Sequence, residues 1–388
     1  MNRLTTPWGE FGLTRFPEHP RETLRAWDAA DEYLLSHLGE AGAAGLSGTV
    51  VIVGDRWGAL TTALAGHEDR AAGDLVQISD SYLTQQATRA NLRRAGLGPD
   101  AGRLLSTLDT PPERIDVLLV RVPKSLAMLE DQLHRLAPAV HPGTVVIGTG
   151  RVTEIHTSTL KLFDQILGPT KTSLAVKKAR LIFCTPAAGR ARTTSPWPHS
   201  YALPEGLGSV SGRTVVNHAG IFCAERLDIG TRFLLRHLPR SHGPERVIDL
   251  GCGNGVIGTA VALGNPDATV TFVDESYAAV ASAEATFRKN ADAATDAEFV
   301  LGDSLTGVPA ESADLVLTNP PFHTHQSTTD ATAWRMFTGA RAVLRTGGEL
   351  WVIGNRHLGY HTKLRRLFGN CETVTSDPKF VILRAVKR

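Results

Sequence analysis

The sequence has few of the features that cross-link a chain or place it in a membrane. It contains four cysteines, widely spaced and without a Cys-x-x-Cys pair, so neither a disulfide framework nor a zinc site is expected. The first residues lack the apolar run of a signal peptide, and no stretch approaches the roughly 20 apolar residues that span a bilayer. We therefore expect a cytoplasmic protein with no membrane partner and no metal.

An excess of charge of one sign is also missing. Lys plus Arg number 41 and Asp plus Glu number 39, which gives a formal net charge of +2. With 42% hydrophobic and 21% charged residues, the composition is that of a folded protein and excludes a disordered, collagenous or fibrous chain. A near-neutral total gives no general reason to expect a polyanionic partner.

Apolar strands recur in the same order about 200 residues apart, which indicates an internal repeat. The matched pairs are 50–53 with 247–250, 116–120 with 314–318, 143–147 with 348–352, and 178–182 with 379–383. In each half the strands alternate with helical segments such as 276–290, a pattern typical of a mostly parallel sheet with helices on both faces. The sequence therefore predicts an α/β protein of two tandem Rossmann-like domains.

Composition places the boundaries between the two copies. Residues 1–184 and 214–388 contain the repeated strands, whereas the intervening stretch begins with several prolines and a glycine and has few large apolar residues. Such a composition is typical of a linker. We predict a first domain over 1–184, a linker over 185–213 and a second domain over 214–388.

The second copy contains a glycine-rich turn between a strand and a helix. The turn is Asp249-Leu-Gly-Cys-Gly-Asn-Gly255, and its glycines let the backbone approach a ligand at a helix N-terminus. Asp274 ends the next strand, 19 residues beyond Gly255, where a carboxylate can accept from both ribose hydroxyls. The predicted cofactor-binding positions of this turn and strand are Asp249, Gly251, Gly253, Gly255 and Asp274. NAD and S-adenosylmethionine sites share this pattern.

The fourth strand of the second copy distinguishes between these cofactors. Directly after it comes Asn319-Pro320-Pro321-Phe322, at the point where the first and fourth strands flank one crevice. Because the prolines end the strand, the Asn319 side chain and the Pro320 carbonyl can accept hydrogen bonds from a planar NH2 group. Phe322 offers a ring on which a base can stack. This arrangement favours methyl transfer to an exocyclic amine by positioning and electrostatics, without a strong base.

Two further residues are candidates for the donor site. Asp303 follows the third strand and could accept from an adenine amino group, although a turn or a helix N-cap would also use an aspartate there. Phe222 belongs to the segment 217–222, which could cover a ligand as a lid or could be a packing segment.

Together these motifs resemble the ribosomal RNA guanine-N2 methyltransferases. The stretches that carry this resemblance are 249–258, 319–323 and the Gly-x-Phe segment 220–222. Other stretches resemble the large-subunit branch of that family, so the resemblance covers nearly the whole chain: 26–35, 122–124, 155–160, 177–182, 355–358 and 368–371. The resemblance implies a class I methyltransferase fold, S-adenosylmethionine as donor and the N2 amine of one guanine in 23S rRNA as acceptor. That guanine would have to be turned out of its stack to reach the crevice.

The first copy lacks the residues of the predicted site and is expected to be degenerate. Arg56 and Trp57 replace Gly253 and Asn254, and Arg121-Val-Pro-Lys124 replaces the Asn-Pro-Pro-Phe segment. A run of basic residues with few acids could instead bind RNA phosphates, or could be a solvated surface. The residues predicted to bind RNA are Arg121, Lys124, Lys177, Lys178 and Arg180, within a longer run that extends to Arg190 and Arg192.

Other functions remain open on the residues alone. A small-subunit sibling would methylate 16S rRNA with the same chemistry, and Asn-Pro-Pro-aromatic also suits adenine N6 or a glutamine amide. An NAD oxidoreductase or a non-catalytic RNA-binding protein would use the fold differently. We expect a monomer that acts on rRNA.

Overall fold

The chain folds into two compact units that divide after Pro196. The computed structural model describes residues 2–19, 22–42, 46–67, 73–189, 194–240, 243–292, 295–321 and 326–388. Residues 197–213 of the predicted linker belong to the second unit, because 199–202 form a strand that pairs antiparallel with 214–217. Across the described ranges, no helix is long and apolar enough to cross a membrane.

The first unit is a seven-stranded sheet with helices on both faces and a small β1–β2 hairpin. Its strands are β1 (Arg3–Thr6), β2 (Gly9–Gly12), β3 (Val50–Val53), β4 (Leu75–Ser79), β5 (Arg103–Ser106), β6 (Ile115–Arg121), β7 (Val140–Arg151), β8 (Thr170–Thr172) and β9 (Ala179–Cys184). Its helices are α1 (Ala29–Ala41), α2 (Ala59–Ala65), α3 (Tyr82–Arg94), α4 (Leu126–Leu136) and α5 (Thr157–Ile166). The large sheet has the order β5-β4-β3-β6-β7-β9-β8.

The second unit repeats this architecture. Its strands are β10 (His199–Ala202), β11 (Thr214–Asn217), β12 (Arg246–Leu250), β13 (Thr269–Asp274), β14 (Ala297–Leu301), β15 (Ala313–Thr318), β16 (Leu344–Asn355), β17 (Glu372–Ser376) and β18 (Phe380–Val386). Its helices are α6 (Ile229–Leu235), α7 (Val256–Gly264), α8 (Tyr277–Asn290), α9 (Gln326–Val343) and α10 (Tyr360–Phe368). The sheet order β14-β13-β12-β15-β16-β18-β17 matches that of the first unit strand for strand, as the repeat predicted.

The central strand β3 is apolar along its whole length, because both of its faces are covered. Every residue of β3 (Val-Val-Ile-Val) is buried, as expected for a parallel strand between two layers of helices. In the second unit, Val247 of β12 packs in one core and Ile248 in the core on the opposite face. Because β12 and β15 pair in parallel, their carboxyl ends lie at the same edge of the sheet, where the candidate site lies.

Candidate active site

The candidate site begins where two neighbouring strands of the second sheet end together. β12 pairs in parallel with β13 on one side and with β15 on the other, so the strand order reverses at β12. The Thr318 hydroxyl, at the end of β15, donates to the Leu250 carbonyl at 2.8 Å. This bond ties the start of the glycine turn to the start of the Asn319 segment, as the topological rule predicted.

The three glycines of the turn are required for different structural reasons. Gly251, Gly253 and Gly255 all adopt left-handed backbone, with φ of +72°, +54° and +72°. A Cβ on Gly255 would lie 2.6 Å from the Ala283 Cα, so packing against α8 requires glycine there. A Cβ on Gly253 would have no atom of the described residues within 4 Å. The backbone at Gly253 therefore faces open space, which is the cradle a ligand would need.

Asp274 supports the turn from the end of β13. Its carboxylate accepts from the Gly253 amide at 3.0 Å and from the Ser276 amide at 3.1 Å. Burial raises its pKa, and these backbone hydrogen bonds act in the opposite direction. The Glu275 backbone amide donates to the carboxylate as well. An ionised carboxylate offers about four acceptor positions, so the predicted contact with ribose hydroxyls is compatible with this geometry.

Asp249 lies beneath the turn and is fully buried. One of its oxygens accepts from the Gly258 amide in the first turn of α7 at 2.8 Å, and the other has no hydrogen-bond partner among the described residues. Burial raises its pKa to about 7. Asp249 therefore fixes α7 to the sheet and keeps one buried acceptor without a partner among the described residues, and its predicted contact with the donor stays a prediction.

The structure pairs Asp303 with a cation that the sequence did not suggest. The Arg335 guanidinium in α9 lies 3.3 Å from one Asp303 oxygen and 3.4 Å from the other. The Asp303 carbonyl also accepts from the Thr306 amide at 3.0 Å, which makes it a turn residue. Partial burial raises the pKa of Asp303, and Arg335 opposes that effect. Its role toward adenine stays a prediction.

The Asn319 amide is held from one side by α6. Its Nδ2 group donates to the Thr231 hydroxyl at 3.1 Å and to the Asp228 carboxylate at 3.4 Å. Its Oδ1 atom is buried and has no hydrogen-bond partner within the ranges that the structure describes. Pro320 is buried and Pro321 exposed, whereas Phe322 lies outside the described residues.

The segment before α6 is next to the glycine turn. The Asn254 amide of the turn donates to the buried Asn217 side chain at 3.0 Å, which places the first residue of the segment 217–222 beside the turn. Phe222 is 51% exposed there, so its ring is partly available to cover a ligand. The predicted contact of Phe222 with the methyl donor stays a prediction.

In the first unit the corresponding crevice is filled. Gly54 and Gly58 keep the left-handed backbone of Gly251 and Gly255, with φ of +76° and +77°. Arg121 takes the position of Asn319, and its side chain has no exposed surface. The prediction that Arg121 binds RNA is wrong, because its guanidinium is enclosed by carboxylates. The partners are Asp28 at 2.9 Å, Asp31 at 3.4 Å and Glu154 at 2.8 Å, with Arg56 bridging Glu154 at 2.7 Å and Asp28 at 3.4 Å.

The other predicted RNA-binding residues differ in accessibility. Lys124, Lys177 and Lys178 are exposed, and Arg180 is half-buried. The Lys177 ammonium lies 3.3 Å from a Glu32 oxygen, an ion pair on the surface of the first unit. Arg190 and Arg192 lie outside the described residues.

Comparison with known proteins agrees with this geometry over the whole chain. Residues 1–188 match the RLMG N-terminal domain family, and residues 212–384 match the methyltransferase small domain family. Ribosomal RNA large subunit methyltransferase G of Streptomyces avermitilis is 70% identical over 385 residues, which cover 99% of both chains. The protein of the same name from Ectopseudomonas mendocina is 48% identical over 390 residues, with full coverage of both.

A solved structure shares the fold of both units. It is described as T. thermophilus 16S rRNA N2 G1207 methyltransferase (RsmC) in complex with AdoMet and guanosine, and it matches with a TM-score of 0.77 at 20% identity. The match covers 100% of this chain and 98% of that one, so the tandem arrangement of two such domains is shared. The relatives and the second domain match exclude the oxidoreductase and non-catalytic alternatives. The chain belongs to the ribosomal RNA large subunit methyltransferase G family and is an S-adenosylmethionine-dependent methyltransferase.

Proposed function

We propose that this protein transfers a methyl group from S-adenosylmethionine to the N2 amine of one guanine in 23S rRNA. The second unit carries out the transfer, on a base turned out of its stack into the crevice beside Asn319. The observation that carries the proposal is the buried Asn319 Oδ1, an acceptor without a partner among the described residues at the edge where β12 and β15 end.

The charge of the donor site suits S-adenosylmethionine better than a dinucleotide. Asp249, Asp274 and Asp303 lie at the carboxyl ends of three adjacent strands, β12, β13 and β14. The Gly258 amide of α7, which could bind a pyrophosphate, is already paired with the Asp249 carboxylate. A sulfonium and an ammonium are favoured over a pyrophosphate chiefly by the Asp274 carboxylate, because Arg335 pairs with Asp303 and burial raises the pKa of Asp249 to about 7.

Each part of S-adenosylmethionine has a residue that can hold it. The open backbone at Gly253 forms the cradle, Asp274 accepts from ribose hydroxyls, Asp303 accepts from the adenine amino group, and Phe222 covers the ligand. S-adenosylmethionine supplies an electrophilic methyl group on a positively charged sulfur. We also assign Asp249 to the donor site, since its buried Oδ1 atom has no hydrogen-bond partner among the described residues.

The Asn319 segment orients the amine. The guanine N2 group donates one hydrogen to Asn319 Oδ1 and the other to the Pro320 carbonyl, which draws electron density toward nitrogen and aims its lone pair. Phe322 stacks on the base. The sulfur–methyl bond breaks as the nitrogen–methyl bond forms, and the methylated amine, now positively charged, releases its proton to water. No general base with a raised pKa is therefore required.

The relatives favour the large subunit as the source of the substrate. Full-length proteins 48% to 70% identical to this chain have large-subunit names, whereas the small-subunit enzyme in the solved structure is 20% identical. In this proposal the first unit does not bind the donor and holds RNA through Lys124, Lys177, Lys178 and Arg180. The protein acts as a monomer.

Asn319→Ala tests the proposal. We expect the affinity for S-adenosylmethionine, measured by calorimetry, to change less than about twofold, and methyl transfer to 23S rRNA to fall by at least about a hundredfold, as for loss of one preorganised polar group. Mapping the methylated nucleotide by primer extension identifies the substrate. Normal turnover by Asn319→Ala would contradict the proposed role of Asn319. Methylation of 16S rRNA alone would contradict the proposal that 23S rRNA is the substrate.

A further inference from the structure

The orientation of the Asn319 amide is set by two side chains of the segment that begins α6. A carboxylate accepts hydrogen bonds and donates none, so the edge of Asn319 that faces Asp228 must be Nδ2. The same Nδ2 group donates to the Thr231 hydroxyl at 3.1 Å, and that hydroxyl donates in turn to Asp228 Oδ2 at 3.2 Å. With Nδ2 fixed, Oδ1 has to point away from α6.

Asp228 is itself held in place by the backbone. The same Oδ2 atom accepts from the Thr231 amide at 2.8 Å, which makes Asp228 the N-cap of α6. Thr231 is 8% exposed, and α6 packs on β16 and β18. The acceptor pair therefore belongs to the rigid part of the unit and not to a loose loop.

The first unit provides an independent instance of the same arrangement. Asp28 is the N-cap of α1, which packs on β7 and β9 as α6 packs on β16 and β18. Asp28 and Asp31 there take the positions of Asp228 and Thr231, and both contact the Arg121 guanidinium that replaces the Asn319 amide. In both units this pair of side chains contacts the N–H groups of one residue at the carboxyl end of a strand, which is Asn319 at the end of β15 and Arg121 at the end of β6.

We propose that Asp228 and Thr231 are positioning residues for methyl transfer, which fix the Asn319 amide with Oδ1 toward the substrate amine. The inference rests on the proposed role of Asn319. Neither residue touches the base or the donor in this scheme. Their effect is to prevent the amide from turning its NH2 edge toward the NH2 group of the substrate, an orientation in which no hydrogen bond forms.

Thr231→Val tests this with little change in shape, because valine keeps the backbone amide that Asp228 caps and removes the hydroxyl that Asn319 uses. We expect kcat for rRNA methylation to fall about tenfold, the effect of one hydrogen bond. The KM for RNA and the Kd for S-adenosylmethionine should stay within about twofold. Thr231→Ser keeps the hydroxyl and should retain at least about half of the wild-type kcat.

Asp228→Ser serves as a second variant, since serine still caps a helix but presents no carboxylate to Asn319. It should lower kcat in the same way, with its folding checked by thermal unfolding. The inference is overturned if Thr231→Val keeps kcat within twofold, if Thr231→Ser loses as much as Thr231→Val, or if kcat and donor affinity fall together. Asn319→Ala separates the two levels. If Asn319→Ala abolishes turnover while Thr231→Val keeps it, this inference alone fails, and if Asn319→Ala keeps turnover, the proposed mechanism fails and the inference with it.

Discussion

Replacing Arg121 with methionine measures how much the buried ion cluster stabilises the first unit. Methionine has similar length but leaves Asp28, Asp31 and Glu154 without the cation that lies 2.8–3.4 Å from them. Removing one partner of a buried ion pair costs about 3–5 kcal/mol. For a unit of this size each kcal/mol lowers the melting temperature by about 2–4 °C, so the first unit should melt roughly 10 °C earlier.

The loss should also depend on pH. In the wild type, burial acts to raise the pKa of Glu154, but Arg121 and hydrogen bonds outweigh it and lower the pKa to about 2. Glu154 thus contributes stability above its unfolded pKa, lost as the pH falls toward 2. Burial raises the pKa of Asp31 to about 7 despite Arg121. Without Arg121 the pKa of Asp31 loses its main opposing charge and rises further, so the variant loses more stability than the wild type as the pH rises. Glu154 keeps its hydrogen bonds from Arg56 at 2.7 Å and from the Arg151 amide at 3.0 Å.

The assay is urea unfolding of the full chain at about pH 5.5 and about pH 8, with the transition of the first unit followed by tryptophan fluorescence. The deficit of Arg121→Met should be larger at the higher pH. Arg114→Met is a matched control, because Arg114 is exposed and its single ion pair with Asp116, at 3.0 Å, contributes at most about 1 kcal/mol. A deficit equal to that of the control, or one that shrinks as the pH rises, would refute the reasoning.

Two further predictions concern the second unit and the RNA surface. Burial raises the pKa of Asp249 to about 7, so the folded state loses stability as the pH rises through this value. Asp249→Asn keeps an acceptor for the Gly258 amide and should gain stability relative to the wild type between about pH 6 and about pH 8. A difference in melting temperature that stays constant over this range would contradict the prediction. The double variant Lys177→Glu/Lys178→Glu should reduce the slope of log affinity for rRNA against log salt by about 2, at about 0.9 for each lost phosphate contact, with unchanged donor affinity. The exposed Lys289→Glu serves as its control, and an unchanged slope would show that these lysines do not contact RNA.

The sheet and its duplication could be predicted because their determinants are local. Apolar runs such as Val50–Val53 identify buried parallel strands, and their constant order gave the repeat before any contact was known. The strand β10 (His199–Ala202) was not predicted, because it is short and polar and depends on pairing with β11. Local patterns of this kind carry no information on a distant partner.

Sequence reasoning found Asn319 and missed the two residues that hold it. The segment 217–222 is predicted as a lid or a packing segment, and no role is predicted for Asp228 or Thr231, although an aspartate three residues before a threonine is the pattern of a helix N-cap. Arg121 is predicted from the sequence to bind RNA, because it replaces a site residue within a basic stretch. Its burial follows from carboxylates at positions 28, 31 and 154, and only the fold brings those together.

The two crevices differ in where their stabilising partners come from. In the first unit the cation is the Arg121 side chain, so its contribution to stability does not depend on the concentration of a ligand. In the second unit, buried acceptors on Asp249 and Asn319 have no partner among the described residues, and ligands that supply one stabilise the folded state in proportion to the logarithm of their concentration. Duplication has therefore given one chain a domain whose stability needs no ligand and another whose stability rises with the supply of methyl donor.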